Sequence, residues 1–464
     1  MAKREHIIII GGGFSGTALA IALAQADADV TVIDPRSAPG YGVAYSTTEP
    51  AHRINVPAER MQLSGESQGD FDRWFRAGDE LNADPHALWH DGKVYPQRGA
   101  FGRYVEQRFH EASQSGRATL RHLADSVINI QPDAQGATVT TQGGKTLYGS
   151  YVVLAVSHPA PALPRQIPAA LVSHPALIGN PWQANALDNI VADEPLAIIG
   201  TGLTMADVVA ALHRRGHRGQ ITAFSRHGLL PRSNLVGDYP AWNVPDVGFT
   251  SGKWLRQIRL EIARAAQLQQ PWQVVLDDIR SSGQRIWQAL SEIEQRRFLR
   301  HLRAYWDVHR YRIAPQVSTL LEQKRADGSL RVIAARLQQA EQHGRGLALT
   351  ILPRHASQEN WQVQRLIVTT GPAHAGLIDS NPALNALAEQ GALRADALGL
   401  GLEVNEHSEV LDNLGRANPR LLVAGPAARG RFGELMGLPQ VADHAQAVAG
   451  RILSALAERC RHSH

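Results

Sequence analysis

The residues best placed to do chemistry in this chain are glycines. Gly11-Gly12-Gly13-Phe14-Ser15-Gly16 follows an apolar run at 6–10, and Gly200-Thr201-Gly202-Leu203-Thr204-Met205-Ala206 follows a second at 196–199. Glycine at the first two marked positions permits a tight turn and lets backbone N–H groups approach a pyrophosphate; the third small residue lets helix and strand pack closely. The N-terminus of the following helix then stabilises the phosphate charge. Two such turns, each where a buried strand gives way to a helix, imply two dinucleotides and electron transfer between them.

The strand beyond each turn separates the two ligands. In the first unit that strand, 30–33, ends at Asp34, 23 residues after Gly11, where a carboxylate can accept hydrogen bonds from ribose hydroxyls. This is the adenosine half of an FAD or NAD site. In the second unit the matching strand, 221–224, ends in Ser225-Arg226-His227, with no acid and with a cation where a 2′-phosphate would lie. That favours NADPH over NADH, unless Arg226 is an ordinary solvated cation.

The rest of the chain must position these turns. Its 464 residues suffice for two or three domains with sizeable cores, and 44% hydrophobic with 19% charged residues is a globular composition. No run of about 18 apolar residues occurs, and the chain enters a strand without a signal-peptide pattern; a cytoplasmic protein with no membrane partner is expected. The net charge of +4 is modest and its basic residues follow no nucleic-acid module, so nucleic acid is not an expected partner. Cys460 is the sole cysteine, which excludes a disulfide or a two-cysteine redox centre within one subunit. The 20 histidines are scattered with no metal-ligand spacing, so no metal is expected; His158, His174, His217 and His309 lie near motifs and are read as hydrogen-bonding or surface residues.

The expected architecture is α/β, with two Rossmann-type dinucleotide-binding domains, the NAD(P)H domain inserted in the FAD domain, and an added helical insertion. Boundaries are set at 1–165 and 366–464 for the FAD domain and 190–365 for the NAD(P)H domain, with the insertion at 252–323. Within the first part, 137–141 and 146–148 read as a meander leading into a buried strand at 151–156, and 159–168 as a proline-rich linker. In the insertion, Leu255, Ile258, Ile262 and then Trp272, Val275, Ile279 have helical spacing, so each segment should bury one face. A third helix carries Arg296, Arg297, Arg300 and Arg303 into Tyr305-Trp306-Asp307-Val308-His309-Arg310-Tyr311-Arg312. It is either a solvated basic helix with an aromatic edge, or Arg310 and Arg312 face a cleft and hold nucleotide phosphates or an anionic substrate.

Further motifs carry a family resemblance. Gly40-Tyr41-Gly42-Val43-Ala44-Tyr45, His52-Arg53-Ile54-Asn55-Val56-Pro57-Ala58, Asn180-Pro181-Trp182, the second glycine turn through Asp207, and 305–315 resemble bacterial FAD/NAD(P)-binding proteins, distant relatives of flavin-containing monooxygenases. Gly425-Pro426-Ala427-Ala428-Arg429-Gly430 resembles that family's flavin-side turn. The resemblance implies flavin contacts from Arg53, Asn55 and Pro57, and from Gly425, Pro426 and the start of the final helix near 438–440. FAD-dependent urate hydroxylation is an activity associated with similar proteins. Two departures limit the transfer: Ala155-Val156-Ser157 replaces the usual Ala-Thr-Gly, and Pro168 and Ala170 stand where a Baeyer-Villiger fingerprint places Phe and Gly before His174, which disfavours ketone oxygenation.

Three functions are expected on these grounds. The first is an FAD-dependent, NAD(P)H-consuming monooxygenase acting with O₂ on a small polar substrate such as urate, with Asn55, Arg310 and Arg312 as the reacting-centre residues. The second is a flavin reductase or oxidase without hydroxylation, and the third a non-catalytic flavin-binding sensor. Oligomeric state is not legible.

Overall fold

The computed structural model describes residues 4–156, 159–371 and 374–462; Ser157 of the Ala155-Val156-Ser157 departure and the flagged His158 lie outside the described residues. Two sheets organise the chain. The first runs in the order Glu409–Leu411, Ala417–Val423, Tyr151–Leu154, Glu5–Ile10, Ala28–Asp34, Thr119–Ala124. All its pairings are parallel except at the edge strand Glu409–Leu411. Ile7, Ile8 and Ile9 of the central strand are completely buried. Cover on both faces forces this: helices Phe14–Ala22, Arg98–Ser115 and Gln440–His462 lie on one side, strands Val127–Pro132 and Ala137–Thr141 with helix Pro382–Glu389 on the other, so the strand reads as a continuous apolar run.

The second sheet runs Glu359–Val363, Gly346–Pro353, Leu330–His343, Ile221–Ser225, Leu196–Ile199, Arg365–Val368, Leu177–Ile178. Its nucleotide-binding half is parallel and its first three strands form an antiparallel meander. The strand Arg365–Val368 pairs with Leu196–Ile199, so the second domain continues past the boundary set at 365, and it begins before 190 at Leu177. The chain returns to the first sheet only at Glu409–Leu411, so one dinucleotide fold is inserted in the other. The meander expected at 137–148 is present as Ala137–Thr141 and Thr146–Gly149, joined by Val127–Pro132 in a small sheet of its own.

The insertion is helical from Ser251–Gln267 to Pro315–Ala326. Val275 and Ile279 enter its core with Trp254 and Leu290, as the spacing requires. Ile258 and Ile262 pack against that core while staying half-buried, and Leu255 is half-buried on the same face of Ser251–Gln267. The single basic helix expected at 296–312 is broken at Leu302 into Glu292–His301 and Arg303–Arg310.

Candidate functional site

At the first turn Gly11 adopts φ +105° and donates from its N–H to Ile33 O at 2.8 Å; a Cβ there would lie 2.6 Å from Ala155 O. A Cβ at Gly16 would overlap Gly11 O, which is the close helix–strand approach inferred from the motif. The helix Phe14–Ala22 begins with Gly13 at its N-cap and no side chain capping it, so its N-terminus is open to a phosphate. Phe14 and Ser15 are buried beside that end. Asp34 closes the second strand at 5% exposure; its Oδ2 accepts the Gly12 N–H at 2.8 Å and its Oδ1 the Arg36 N–H at 2.9 Å. The carboxylate thus shapes the glycine loop as well as standing at the ribose position.

Gly425 meets this turn from the far end of the chain. At φ +91° its Cβ position falls 2.8 Å from Ser15 Cβ, so only glycine lets the two segments touch. Pro426 opens the short helical turn after it. The Gly425 N–H is received by Nδ1 of His444 at 3.0 Å, and His444 Nε2 lies 3.0 Å from Ser408 Oγ. Burial pushes the His444 imidazolium pKa down to about 4, so the ring is neutral and Nδ1 is free to accept. His444 sits in an otherwise apolar helical stripe, and no sequence signal marked it.

The loop holding Arg53, Asn55 and Pro57 is fixed by charge. The Arg53 guanidinium makes two 2.9 Å bonds to Asp84 and one of 2.8 Å to Tyr95 O. Its guanidinium is therefore paired within the fold, and a flavin contact from Arg53 would be made without an uncommitted charge. Asn55 is partly exposed; its backbone oxygen accepts from Asn234 Nδ2 at 2.8 Å, which also bonds Ile313 O. Pro57 is buried at the start of a short turn. Nearby, Arg98 bonds Arg53 O at 2.8 Å and pairs with Asp207 at 2.8 Å, while the Trp182 ring lies 5.6 Å from Arg98 Cζ and 5.2 Å from the His52 ring. The scattered motifs at 52–58, 180–182 and 207 thus converge on one clamp between the two nucleotide domains.

At the second turn Gly200 has φ +109° and its Cβ would strike Thr369 O; Gly202 is the N-cap of Leu203–Arg214, again with no side chain in the cap and with nothing within 4 Å of its Cβ position. Leu203 and Thr204 form the first turn of that helix. Arg226 is exposed just past the strand Ile221–Ser225, and the meander brings Arg336 and Arg354 to the same 420 Å³ recess. Among the described residues none of the three lies within 4 Å of a carboxylate. Partial burial and then the charges of Arg226, Arg354 and Arg336 hold the His227 pKa below its usual value. Arg336 and Arg354 escape a reading of the sequence because only the fold brings them beside Arg226.

Arg310 and Arg312 are 7% and 6% exposed. Arg310 pairs with Glu434 at 2.8 Å, and Arg312 with Asp277 at 2.7 Å under the face of Trp272. Both side chains are buried and paired with Glu434 and Asp277, which lie far away in sequence, whereas Arg296, Arg297 and Arg300 are exposed as a solvated basic helix requires. Arg280 is different. It donates to Leu438 O and Gln440 Oε1, has no carboxylate within 4 Å among the described residues, and its buried Nε has no partner. Burial, then the charges of Arg310 and Arg312, pushes its pKa down to about 9; it stays a cation at neutral pH beside the start of the final helix, Gln440–His462. Two open helix ends, glycine-only contacts and this orphaned cation fit a pair of anionic dinucleotides. Of the flagged histidines, His174, His217 and His309 bond backbone groups.

A cavity of about 770 Å³ lies between these parts, bounded by Gly202, Leu203 and Thr204 of the second turn, by Glu434 and Met436 of the C-terminal segment, and by the insertion. Among the described residues no group of three or more His, Cys, Asp or Glu could hold a metal, and no helix is long and apolar enough to cross a membrane.

This geometry defines a protein of the double-dinucleotide class, and comparison with known proteins agrees. Residues 8–159 match the family model described as FAD-NAD(P)-binding. No curated protein matches the sequence significantly. Ornithine hydroxylase from Pseudomonas aeruginosa, in its reduced form, superposes with TM-score 0.64 at 16% identity, covering 98% of this chain and 100% of its own. An FAD-bound cadaverine monooxygenase of desferrioxamine biosynthesis from Erwinia amylovora gives 0.65 at 12% identity over 97% and 94%. Bacillithiol disulfide reductase from Bacillus cereus gives 0.53 at 15% over 98% and 100%. The chain has the two-domain Rossmann-type fold of these flavoproteins, and its first unit carries an FAD/NAD(P)-binding domain.

Proposed function

We propose that the protein is an FAD-dependent, NAD(P)H-consuming monooxygenase. The observation that carries this reading is the pair of open, glycine-lined helix ends with opposite chemistry beside them, Asp34 at the first and Arg226 with Arg336 and Arg354 at the second, with a large cavity opening at the second. Bound FAD would accept hydride from NAD(P)H and activate O₂. Around it, Gly13 and Ser15 hold the pyrophosphate by their backbone, Asp34 holds the ribose, and Gly425 sets the distance between the two ends of the chain. Arg280 and the N-terminus of the final helix favour negative charge beside Gln440. Gly202 to Thr204 receive the second pyrophosphate, and the three arginines the 2′-phosphate. Asn55, anchored through its backbone to the second domain, stands on the loop expected at the flavin.

In the net reaction one oxygen atom of O₂ enters the substrate and the other leaves as water, with two electrons from NADPH. The activities for which the ornithine hydroxylase and the cadaverine monooxygenase are named support an oxygenase; urate draws no support, since the two arginines assigned to an anionic substrate are spent on Glu434 and Asp277. The fold shared with the bacillithiol disulfide reductase keeps a reductase as the competing outcome. The test is incorporation of ¹⁸O from labelled O₂, with NADPH and O₂ consumed in equal amounts. If every compound that accelerates NADPH oxidation emerges unlabelled while H₂O₂ accumulates, the enzyme is a reductase or oxidase.

A further inference from the structure

Resting on that reading, we propose that the substrate is a neutral, mainly apolar molecule, and that it lies against the helical insertion. The cavity of about 770 Å³ is lined along the insertion by Ile258, Ile262, Leu276, Ile279 and Leu299, with Trp287 at its floor. Its volume falls among pockets for drug-sized ligands, about 300–1,000 Å³, which also place a few polar groups among apolar walls. Ile258, Ile262 and Leu299 lie on helical faces that a core would ordinarily bury, yet they remain partly exposed because they face this void. A stripe so arranged recovers its burial when an apolar ligand fills the space.

The nucleotide does not account for that wall. Its polar phosphates belong at the helix end Gly202 to Thr204, a different element of the lining from the isoleucines of Ser251–Gln267. Nor does the wall suit a charged amine or an amino acid. Its two carboxylates are engaged, Asp307 by Arg303 at 3.4 Å and Glu434 by Arg310 and by the Trp306 indole, each at 2.8 Å. Arg429 stands in the field of Asp307 and Asp396. A substrate ammonium would have to break one of these pairs or enter without a partner, at a large desolvation cost in apolar surroundings, and a carboxylate would find only Arg259, an exposed residue of the lining whose charge water screens. The Tyr311 hydroxyl, whose pKa burial raises, stays protonated and can donate to or accept from a neutral polar group at that end. This separates the chain from the fold relatives named for ornithine and cadaverine.

The experiment is calorimetric titration of the FAD-loaded protein in the presence of NADP⁺, with indole, 2-naphthol and decanol as apolar probes and ornithine, cadaverine and urate as polar ones. At least one apolar probe should bind about tenfold or more tighter than every polar one, as expected where a charge must shed its water. Filling the void with Ile258→Trp should weaken that probe about tenfold or more; Leu299→Phe, a smaller change on a different helix, serves if the first variant does not fold, with FAD content as the check. Tighter binding of ornithine, cadaverine or urate overturns the proposal, as does unchanged apolar binding in a folded, filled variant. Apolar binding without any NADPH oxidation would strike the oxygenase reading and uphold the ligand class.

Discussion

At the end of its second strand the first nucleotide unit carries Asp34, nearly sealed from solvent and bonded to its own glycine loop, whereas the second carries Arg226 in the open, facing Arg336 and Arg354 across a recess. The turns themselves are close copies: positive φ at Gly11 and Gly200, an uncapped helix after Gly13 and Gly202, and a backbone oxygen from a neighbouring strand end crowding the first glycine. On the proposed function, the shared backbone would bind a pyrophosphate and be indifferent to what is attached to it, and discrimination would come from one residue at the strand end and, in the second unit, from cations that only the meander delivers.

The largest effect should come from splitting the two turns. Gly16→Val forces a side chain into Gly11 O and should abolish FAD binding; Gly200→Val should leave FAD bound and abolish reduction by NADPH. Flavin content and anaerobic reduction of the two purified variants decide it, and equal flavin loss in both would break the assignment of one ligand to each unit. Next comes Asp34→Ala, which leaves ribose hydroxyls and the Gly12 N–H unpaired at a cost of about 1–3 kcal/mol. FAD affinity measured by flavin fluorescence should fall accordingly, and unchanged affinity in a folded variant would remove the ribose role.

A similar loss should accompany acidification. The folded-state pKa of His444 is depressed to about 4, below the unfolded value of about 6.5, so its contribution is complete above pH 6.5 and is lost as pH falls towards 4. That amounts to about 3 kcal/mol of stability, missing from His444→Gln. Chemical denaturation across that window measures it, and identical pH slopes for both proteins would exclude His444 as the cause. The smallest effect sharpens the comparison: Arg336→Ala and Arg354→Ala should each raise KM for NADPH by about tenfold, the worth of one charge-assisted contact, and leave KM for NADH unchanged. Equal changes for both nucleotides would show that these arginines do not read the 2′-phosphate.

The fold was legible because its signals are local. A buried apolar strand, a glycine turn and a helix form one contiguous stretch, and repeating it with an intervening meander announces one dinucleotide domain inside another. The boundary at 365 failed by a single strand, since Arg365–Val368 reads like any buried strand and its partner is 169 residues away in sequence. The turn geometry was legible where a motif acts through its backbone, at Gly11 to Gly16, Gly200 to Thr204 and Gly425. It was illegible where side-chain charge decides. Arg53, Arg310 and Arg312 looked available because Asp84, Glu434 and Asp277 belong to other segments, and Arg280 looked ordinary because nothing local shows that it lacks such a partner. Helical periodicity likewise marked the apolar face of Ser251–Gln267 without telling a core from a cavity wall.

The most direct test of two dinucleotides meeting in one active site is anaerobic titration of the FAD-loaded protein, monitored at the flavin absorbance band. Equimolar NADPH should bleach the band fully, and NADH should do so far more slowly at the same concentration, a preference that Arg226→Ala cuts by about tenfold. A flavin band that neither nucleotide bleaches would contradict the account.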